Sequence, residues 1–150
     1  MGPHLNFIAL LCAAFIPMIM GFIYYHPSVM GNAWMSANGF TKESLKMAPK
    51  PAMYLIALAC SSLLAFFLWG WTTGAGGVDT FQVKDPNDGH SYVTFSHGVF
   101  HGLAFSIMVL LPVFVTVKIF EMRKWTWAFV NIGYWSLTII LMCGILSAWR

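Results

Sequence analysis

The chain has 150 residues, of which only 9% are charged, while 59% are hydrophobic and 17% are aromatic. A soluble domain carries about 25% charged residues around a single core. The composition therefore excludes a soluble globular domain, a disordered chain and a coiled coil. The net charge of +3 comes from scattered lysines and arginines rather than from one basic face, which excludes a nucleic-acid-binding module.

The charged residues are confined to short segments, and four charge-free windows lie between them: 1–41, 51–78, 89–117 and 125–149. About 20 mainly apolar residues are needed to cross the hydrocarbon layer of a bilayer, and each window is long enough. The windows predict four transmembrane helices in a single domain of residues 1–150, near residues 5–25, 53–71, 96–117 and 127–149. Trp and Tyr cluster at the ends of these segments, where they favour the headgroup level. The predicted fold class is an all-α membrane protein with four transmembrane helices.

Basic residues concentrate in the loops after the first and third predicted helices. Those two loops hold Lys42, Lys46, Lys50, Lys118, Arg123 and Lys124, against Lys84 and Arg150 on the other side. Because cytoplasmic loops carry an excess of Lys and Arg, these loops are predicted to be cytoplasmic and both termini extracytoplasmic. Nothing basic precedes the first helix and no small-residue cleavage site follows it, so we expect it to be retained rather than removed as a signal peptide.

The first cytoplasmic loop has apolar residues at helical spacing after Pro27, with polar residues opposite. The apolar positions are Val29, Met30, Ala33, Trp34 and Ala37. This pattern predicts a short amphipathic helix that lies in the membrane interface.

The loop between the second and third helices has a different period. Two segments of alternating β-branched and aromatic residues flank a cluster of turn residues at 85–90. The pattern predicts an extracytoplasmic β-hairpin near residues 80–95. Because an isolated hairpin is marginally stable in water, we expect it to pack on the helix ends or on another chain.

Two sets of residues, in and beside the first and third predicted loops, form recognisable motifs. The first set is Tyr24, Tyr25, Pro27, Gly31, Ala33, Trp34, Met35, Gly39, Thr41, Lys42 and Glu43. The second is Phe120, Glu121, Arg123, Asn131, Gly133 and Tyr134, in a helix that ends at Trp149. Together they resemble the signatures of bacterial four-helix membrane proteins known as domain of unknown function 1761. The resemblance implies a four-helix fold and a location in the bacterial inner membrane, and it implies no activity.

His97 and His101 are candidate ligands for a metal ion or haem. Their i, i+4 spacing puts both imidazoles on one face of the third helix, and neutral imidazole binds zinc, copper and haem iron. Residues of the predicted hairpin that could complete such a site are His90, Asp88 and Asp85. Alternatively, the two histidines lie at the water interface or hydrogen-bond to neighbouring helices, because Gly98 and Gly102 indicate a packing surface beside them.

Small residues recur every four positions in three of the helices. The three stripes are Ala9, Ala13, Pro17 and Gly21; Ala57, Ser61 and Ala65; and Gly98, Gly102 and Ser106. Such stripes let helices approach closely, either within the bundle or between this chain and a partner. Pro17 and Pro112 predict kinks in the first and third helices.

A seam of polar residues follows one side of the fourth helix. It consists of Asn131, Tyr134, Trp135 and Thr138, at helical spacing. The seam could line a solute path or tie the helix to its neighbours by hydrogen bonds. No charged residue lies deep in any predicted helix, so an ion-coupled transporter would lack its usual charged relay.

No catalytic motif occurs, so the sequence does not indicate an enzyme. It favours an accessory or scaffolding subunit of a membrane complex, or a homo-oligomer, whose contacts are lipid and other membrane subunits rather than nucleic acid. A second hypothesis is a small-solute transporter or channel. A third is a metal- or haem-binding membrane protein that uses His97 and His101.

Overall fold

The computed structural model of the chain describes residues 5–41, 43, 50–73 and 94–149, and every regular element in these ranges is a helix. In chain order the elements are α1 (Phe7–Tyr24), a π turn (Pro27–Gly31), α2 (Asn32–Asn38), α3 (Pro51–Thr73), α4 (Phe95–Phe105), a π segment (Ser106–Leu110), α5 (Leu111–Phe120) and α6 (Trp125–Ala148). Four spans are long and apolar enough to cross a membrane: α1, α3, the continuous stretch Phe95–Phe120, and α6. The prediction of four such helices is confirmed.

The predicted hairpin at 80–95 is wrong at its C-terminal end. Phe95 is the first residue of α4, and Thr94 is the N-cap, whose hydroxyl oxygen accepts a hydrogen bond from the His97 N–H at 3.3 Å. A threonine at this position satisfies one of the free N–H groups of the first turn, which favours helix over strand here. The rest of the predicted hairpin, residues 80–93, lies outside the described residues.

The chain turns sharply between α1 and α2, and glycine makes the turn possible. The backbone N–H groups of Val29 and Gly31 both donate to the His26 carbonyl, at 2.9 and 3.0 Å. A Cβ atom on Gly31 would overlap the carbonyl oxygen of Tyr25. After this turn, the first loop contains a short helix, α2. Gly39 caps its C-terminal end in the left-handed conformation, with φ of 71°.

The third span is one stretch of helix with a wider π segment in its middle, just before Pro112, where the sequence predicts a kink. Proline at position 112 has no N–H to donate to the carbonyl of Met108, and its ring crowds that carbonyl. The helix widens just before it, where the Leu111 N–H donates to the Ser106 carbonyl five residues back. The π segment is thus the local adjustment that admits Pro112.

Helix α6 is the central element of the bundle, since it contacts α1, α2, α3, α4 and α5. The main core lies among α1, α3 and α6. Its buried residues are Ala13, Ala14, Ile16, Ala65, Leu68, Ile139, Met142, Cys143 and Leu146.

The helices alternate in direction, so the bundle has two distinct ends. At one, which we call the α2 end, Tyr24 of α1 packs against Val130 and Tyr134 of α6. The Lys124 ammonium also reaches the Ser36 carbonyl of the α2 helix, at 3.4 Å. At the other, the α4 end, α4 begins beside the last turns of α3 and α6.

The closest helix packing in the bundle lies at the α4 end, between α4 and α6. An added Cβ on Gly98 would overlap the Cys143 carbonyl oxygen and lie 2.8 Å from the Cα of Gly144. An added Cβ on Gly102 would lie 2.6 Å from the Cα of Ile140. The two backbones are in direct contact here because neither glycine has a side chain.

Candidate functional site

The α2 end is built around a cluster of aromatic rings. Tyr25 is central to it, with ring centroids 5.6 Å from Tyr24, 5.3 Å from Trp34 and 5.0 Å from Tyr134. Trp135 extends the cluster, with its ring 5.1 Å from that of Tyr134. The cluster joins α1, α2 and α6, since it takes residues from all three.

A buried hydrogen bond fixes the orientation of Tyr134. Its hydroxyl donates to the carbonyl oxygen of Pro17, in the middle of α1, at 2.7 Å. An added Cβ at Gly21, one turn further along α1, would lie 3.6 Å from the Tyr134 oxygen, an ordinary van der Waals distance, so the phenol lies close to α1 along this turn. Tyr134 therefore connects the α2-end halves of α1 and α6 both by packing and by a hydrogen bond.

Beside this cluster, a cleft opens between α1, α3 and α6. The buried residues of α3 begin only at Ser61, so the first half of that helix is more exposed than the second. The cleft has a volume of about 730 Å³ and is lined by Pro17 and Tyr25 of α1, Tyr54 and Ser61 of α3, and Tyr134 and Trp135 of α6, among others.

The cleft is open at the surface of the described helices. Two of its lining residues, Phe22 on α1 and Tyr54 on α3, are 83% and 50% exposed. Both lie on helices that are apolar enough to cross a membrane.

The cleft is mostly apolar, with hydroxyl groups at a few positions. Ser61 is 8% exposed, and its hydroxyl makes no hydrogen bond with any described residue. The phenol oxygens of Tyr25 and Tyr54 likewise make none within the described ranges. Burial raises the pKa of the Tyr25 phenol, and the neighbouring Tyr134 and Tyr24 raise it further. That phenol is therefore a neutral donor throughout the physiological pH range.

Only part of the predicted polar seam on α6 reaches this cleft. Asn131 donates its side-chain N–H to the Trp127 carbonyl at 2.8 Å, and the Thr138 hydroxyl donates to the Tyr134 carbonyl at 2.7 Å. Both groups thus donate within their own helix, and neither residue lines this cleft. Tyr134 and Trp135 are the members of the seam that face the cleft.

The small-residue stripes are mostly used inside the chain. Six of their residues are buried: Ala9, Ala13, Pro17, Gly98, Gly102 and Ser106. On α3, Ser61 and Ala65 are also buried, whereas Ala57 is exposed and lines the cleft.

His97 and His101 lie at the opposite, α4 end of the bundle. Their ring centroids are 4.5 Å apart, and Trp71 of α3 packs its ring against His101 with a centroid distance of 5.7 Å. His101 is 5% exposed, and the buried Nε2 of His97 has no hydrogen-bond partner among the described residues. No third His, Cys, Asp or Glu joins the pair within those residues. His90, the predicted third ligand, lies outside them.

The turn from α5 to α6, at the α2 end, is basic and aromatic. The Lys118 ammonium lies 4.2 Å from the ring centroid of Trp125, and the Arg123 guanidinium lies 5.7 Å from that of Trp127. Arg123 also pairs with Glu121 at 3.0 Å in an exposed salt bridge, a kind that adds little to stability.

A family model matches residues 8–147, and its description is "Protein of unknown function (DUF1761)". The chain belongs to this family. No curated protein and no solved structure matches it. The matched range takes in the whole of the aromatic cluster, the cleft and the histidine pair.

The residues that suggested DUF1761 from sequence serve mainly to build the α2 end. Tyr25 and Trp34 belong to the aromatic cluster, and Pro27 begins the π turn that Gly31 closes. In the second set, Gly133 makes room for Tyr24, because an added Cβ would lie 2.5 Å from the Tyr24 oxygen. Asn131 and Tyr134 lie on the neighbouring turns of α6, while Phe120, Glu121 and Arg123 form the exposed turn before it.

The sequence of this DUF1761 chain indicates Tyr134 as a site residue but not the cleft beside it. The sequence-based prediction does not include three features of the lining. They are the presence of Tyr54, the polar role of Ser61, and the role of the Pro17 carbonyl as a hydrogen-bond acceptor. A signal for them did exist: Ser61 follows Tyr54 by seven residues, so that both lie on one face of α3. From the sequence alone, its place in a small-residue stripe predicts that Ser61 is a packing residue.

Proposed function

We propose that this multi-pass membrane protein binds a lipophilic ligand in the cleft between α1, α3 and α6. The observation that carries the proposal is the cleft itself, about 730 Å³ in volume, within the usual range for small-molecule sites. An empty apolar space of this size is unfavourable, because the groups that line it lose their packing partners. In a bilayer it is occupied by a lipid chain or by a specific ligand.

The walls of the cleft support a specific site. Tyr134 is held by its hydrogen bond to Pro17 and by contacts with Tyr24 and Tyr25. These groups keep α1 and α6 at a fixed separation along one wall. A wall that is ordered before binding lowers the entropy cost of binding.

For orientation, we propose that the α2 end faces the cytoplasm and that both termini are extracytoplasmic, in the inner membrane of a bacterium. The described residues at that end include Lys50, Lys118, Arg123 and Lys124, and such an excess of basic residues favours the cytoplasmic side. The cleft then lies in the half of the membrane that is nearer the cytoplasm.

The test is to fill the cleft and measure what remains bound. Ala57 is exposed and lines the cleft, so Ala57→Trp places an indole in it. The matched control is Ala59→Trp, an exposed position of α3 that does not line the cleft. Both variants are purified in mild detergent, and the lipophilic molecules that accompany them are quantified by mass spectrometry.

We expect at least one molecular species to fall about tenfold in Ala57→Trp relative to the parent protein, which corresponds to about 1.4 kcal/mol of binding free energy. Ala59→Trp is expected to retain it. Identical profiles for the two tryptophan variants would overturn the proposal.

A second candidate function, as an accessory subunit or a homo-oligomer, is favoured by one observation. None of the residues of α5, Leu111–Phe120, is buried within the chain. Helix α5 therefore has its apolar surface available to another subunit as well as to lipid. Cross-linking in membranes, followed by mass determination, tests this candidate, and a monomer with no recurrent partner would exclude it.

Transport of a small solute and binding of a metal or haem stay predictions. Flux into liposomes tests the first. Metal analysis of the purified protein, with and without His97→Ala, tests the second.

A further inference from the structure

None of the described residues that line the cleft has a charged side chain. The polar groups of these residues are the hydroxyls of Ser61, Tyr25, Tyr54 and Tyr134, the Cys60 thiol and the indole N–H of Trp135. A phospholipid headgroup or a fatty-acid carboxylate needs basic partners when it leaves water, and the described lining residues supply none. The chemistry of the cleft therefore favours an uncharged ligand.

Ser61 is the most informative of these groups. Hydroxyls inside transmembrane helices usually donate to a carbonyl one turn back. The neighbouring Ser62 does so to Leu58 at 2.9 Å, and the buried Thr72 and Ser106 do so to Leu68 and Gly102, each at 2.8 Å. Other described serines and threonines with this bond are Thr73 and Thr138.

The Ser61 hydroxyl makes no such hydrogen bond within the described residues, and neither does that of the fully buried Ser147. The Ser147 oxygen is enclosed by protein, whereas Ser61 is 8% exposed and lines the cleft. A hydroxyl that faces an apolar space without a hydrogen bond is unfavourable. Because Ser61 lines the cleft, a ligand oxygen placed there would supply the missing partner.

The opposite wall of the cleft is aromatic and suits a planar group. Tyr134 and Trp135 form one wall, with their rings inclined at 70° to each other, and Tyr25 lies against Tyr134 with an inclination of 38°. Aromatic surfaces of this kind favour offset-stacked or edge-on contact with another ring. Tyr54 supplies a second hydroxyl group to the cleft. It lies two helical turns, or about 10 Å, from Ser61 along α3.

We infer that the ligand is a neutral, planar lipophile that bears carbonyl oxygens, the chemistry of a membrane quinone, and that the Ser61 hydroxyl donates a hydrogen bond to one of those oxygens. This inference rests on the proposed function, since it specifies the ligand class of the same cleft. The aromatic wall contacts the ring, and the apolar remainder of the cleft takes part of the tail.

The experiment compares two probes with the same tail: a decyl-substituted benzoquinone and decylbenzene. Their binding to the full-length protein in lipid nanodiscs is measured by equilibrium partition against empty nanodiscs. We expect the quinone to bind more tightly than decylbenzene. Ser61→Ala is expected to weaken quinone binding about three- to tenfold, the value of one hydrogen bond, and to leave decylbenzene binding unchanged.

Ser62→Ala is the matched control, because it removes a neighbouring hydroxyl that already has a partner at Leu58. We expect it to bind both probes as the parent protein does. Equal binding of the two probes, or equal effects of Ser61→Ala on both, would overturn the inference about ligand class while leaving the proposed function standing. If neither probe binds the parent protein above empty nanodiscs and Ala57→Trp retains its lipophilic molecules, the proposed function fails as well.

Discussion

The two ends of the bundle are built on opposite principles. At the α4 end, Gly98 and Gly102 bring the backbone of α4 against that of α6. At the α2 end, large aromatic residues stand between helices, and α3 buries no residue before Ser61. The comparison shows how one bundle of four spans combines two kinds of packing: direct backbone contact at one end, and aromatic side chains beside a cleft at the other.

Helix α6 takes part in both arrangements. Its buried residues extend from Ala128, near the α2 end, to Ser147, at the α4 end. The third span, by contrast, buries residues only in its first half, at Gly98, His101, Gly102 and Ser106. The bundle is therefore organised around α6, with α4 packed along its second half and the cleft beside its first half.

The largest effect is expected from the tight end. In Gly98→Ala the new Cβ meets the backbone of Cys143, which cannot move aside as a flexible side chain can. We expect a loss of about 2–3 kcal/mol in the free energy of unfolding, typical of overpacking in a core. Denaturation in mixed micelles of increasing SDS fraction measures it.

The control for this prediction is Gly70→Ala, on α3, where an added Cβ meets nothing within 4 Å. Because alanine favours a helix over glycine, Gly70→Ala is expected to be neutral or stabilising by up to about 1 kcal/mol. If Gly98→Ala were as stable as Gly70→Ala, the contrast between a tight and an open end would be wrong.

A smaller effect is expected from the hydrogen bond that holds the wall of the cleft. Tyr134→Phe removes the donor to the Pro17 carbonyl and keeps the ring. We expect a loss of about 0.5–1.5 kcal/mol in unfolding free energy, because the buried carbonyl loses a partner while the packing stays. The same SDS titration serves as the measurement.

Tyr25→Phe is the matched variant, since its phenol makes no hydrogen bond within the described residues. It is expected to change the unfolding free energy by less than about 0.5 kcal/mol. Equal losses in Tyr25→Phe and Tyr134→Phe would show that ring polarity, and not the bond to Pro17, holds α1 and α6 together.

Much of the fold could be predicted from the sequence, because the features concerned are local. Charge-free windows define the four spans, and the helical spacing of apolar residues after Pro27 predicts the short helix α2. The π segment before Pro112 was missed, since a proline predicts a kink without specifying which helical form relieves it.

The cleft could not be predicted, because it depends on how the helices pair. Hydropathy shows that a residue is apolar enough to lie in lipid. It does not show which neighbouring helix that residue contacts. Thr138 and Ser61 are both small polar residues in mid-helix, yet one bonds to its own helix and the other lines the cleft. That difference arises from how the helices pack against one another, a property of the assembled bundle.

The smallest effect is expected at the turn between α5 and α6. It tests whether the α2 end also contains backbone strain. Met122 has a positive φ of 51° and is 91% exposed. Its N–H donates to the Ile119 carbonyl at 3.3 Å, and the Arg123 N–H donates to the Lys118 carbonyl at 3.0 Å, an arrangement that usually places glycine at this position. Met122→Gly is therefore expected to raise the unfolding free energy by about 0.5–1 kcal/mol, because glycine adopts the left-handed conformation without a steric penalty.

Met122→Ala keeps the Cβ and the strain, and is expected to give no such gain. Equal stability of the glycine and alanine variants would mean that the turn is unstrained and that the two ends differ in side-chain size alone.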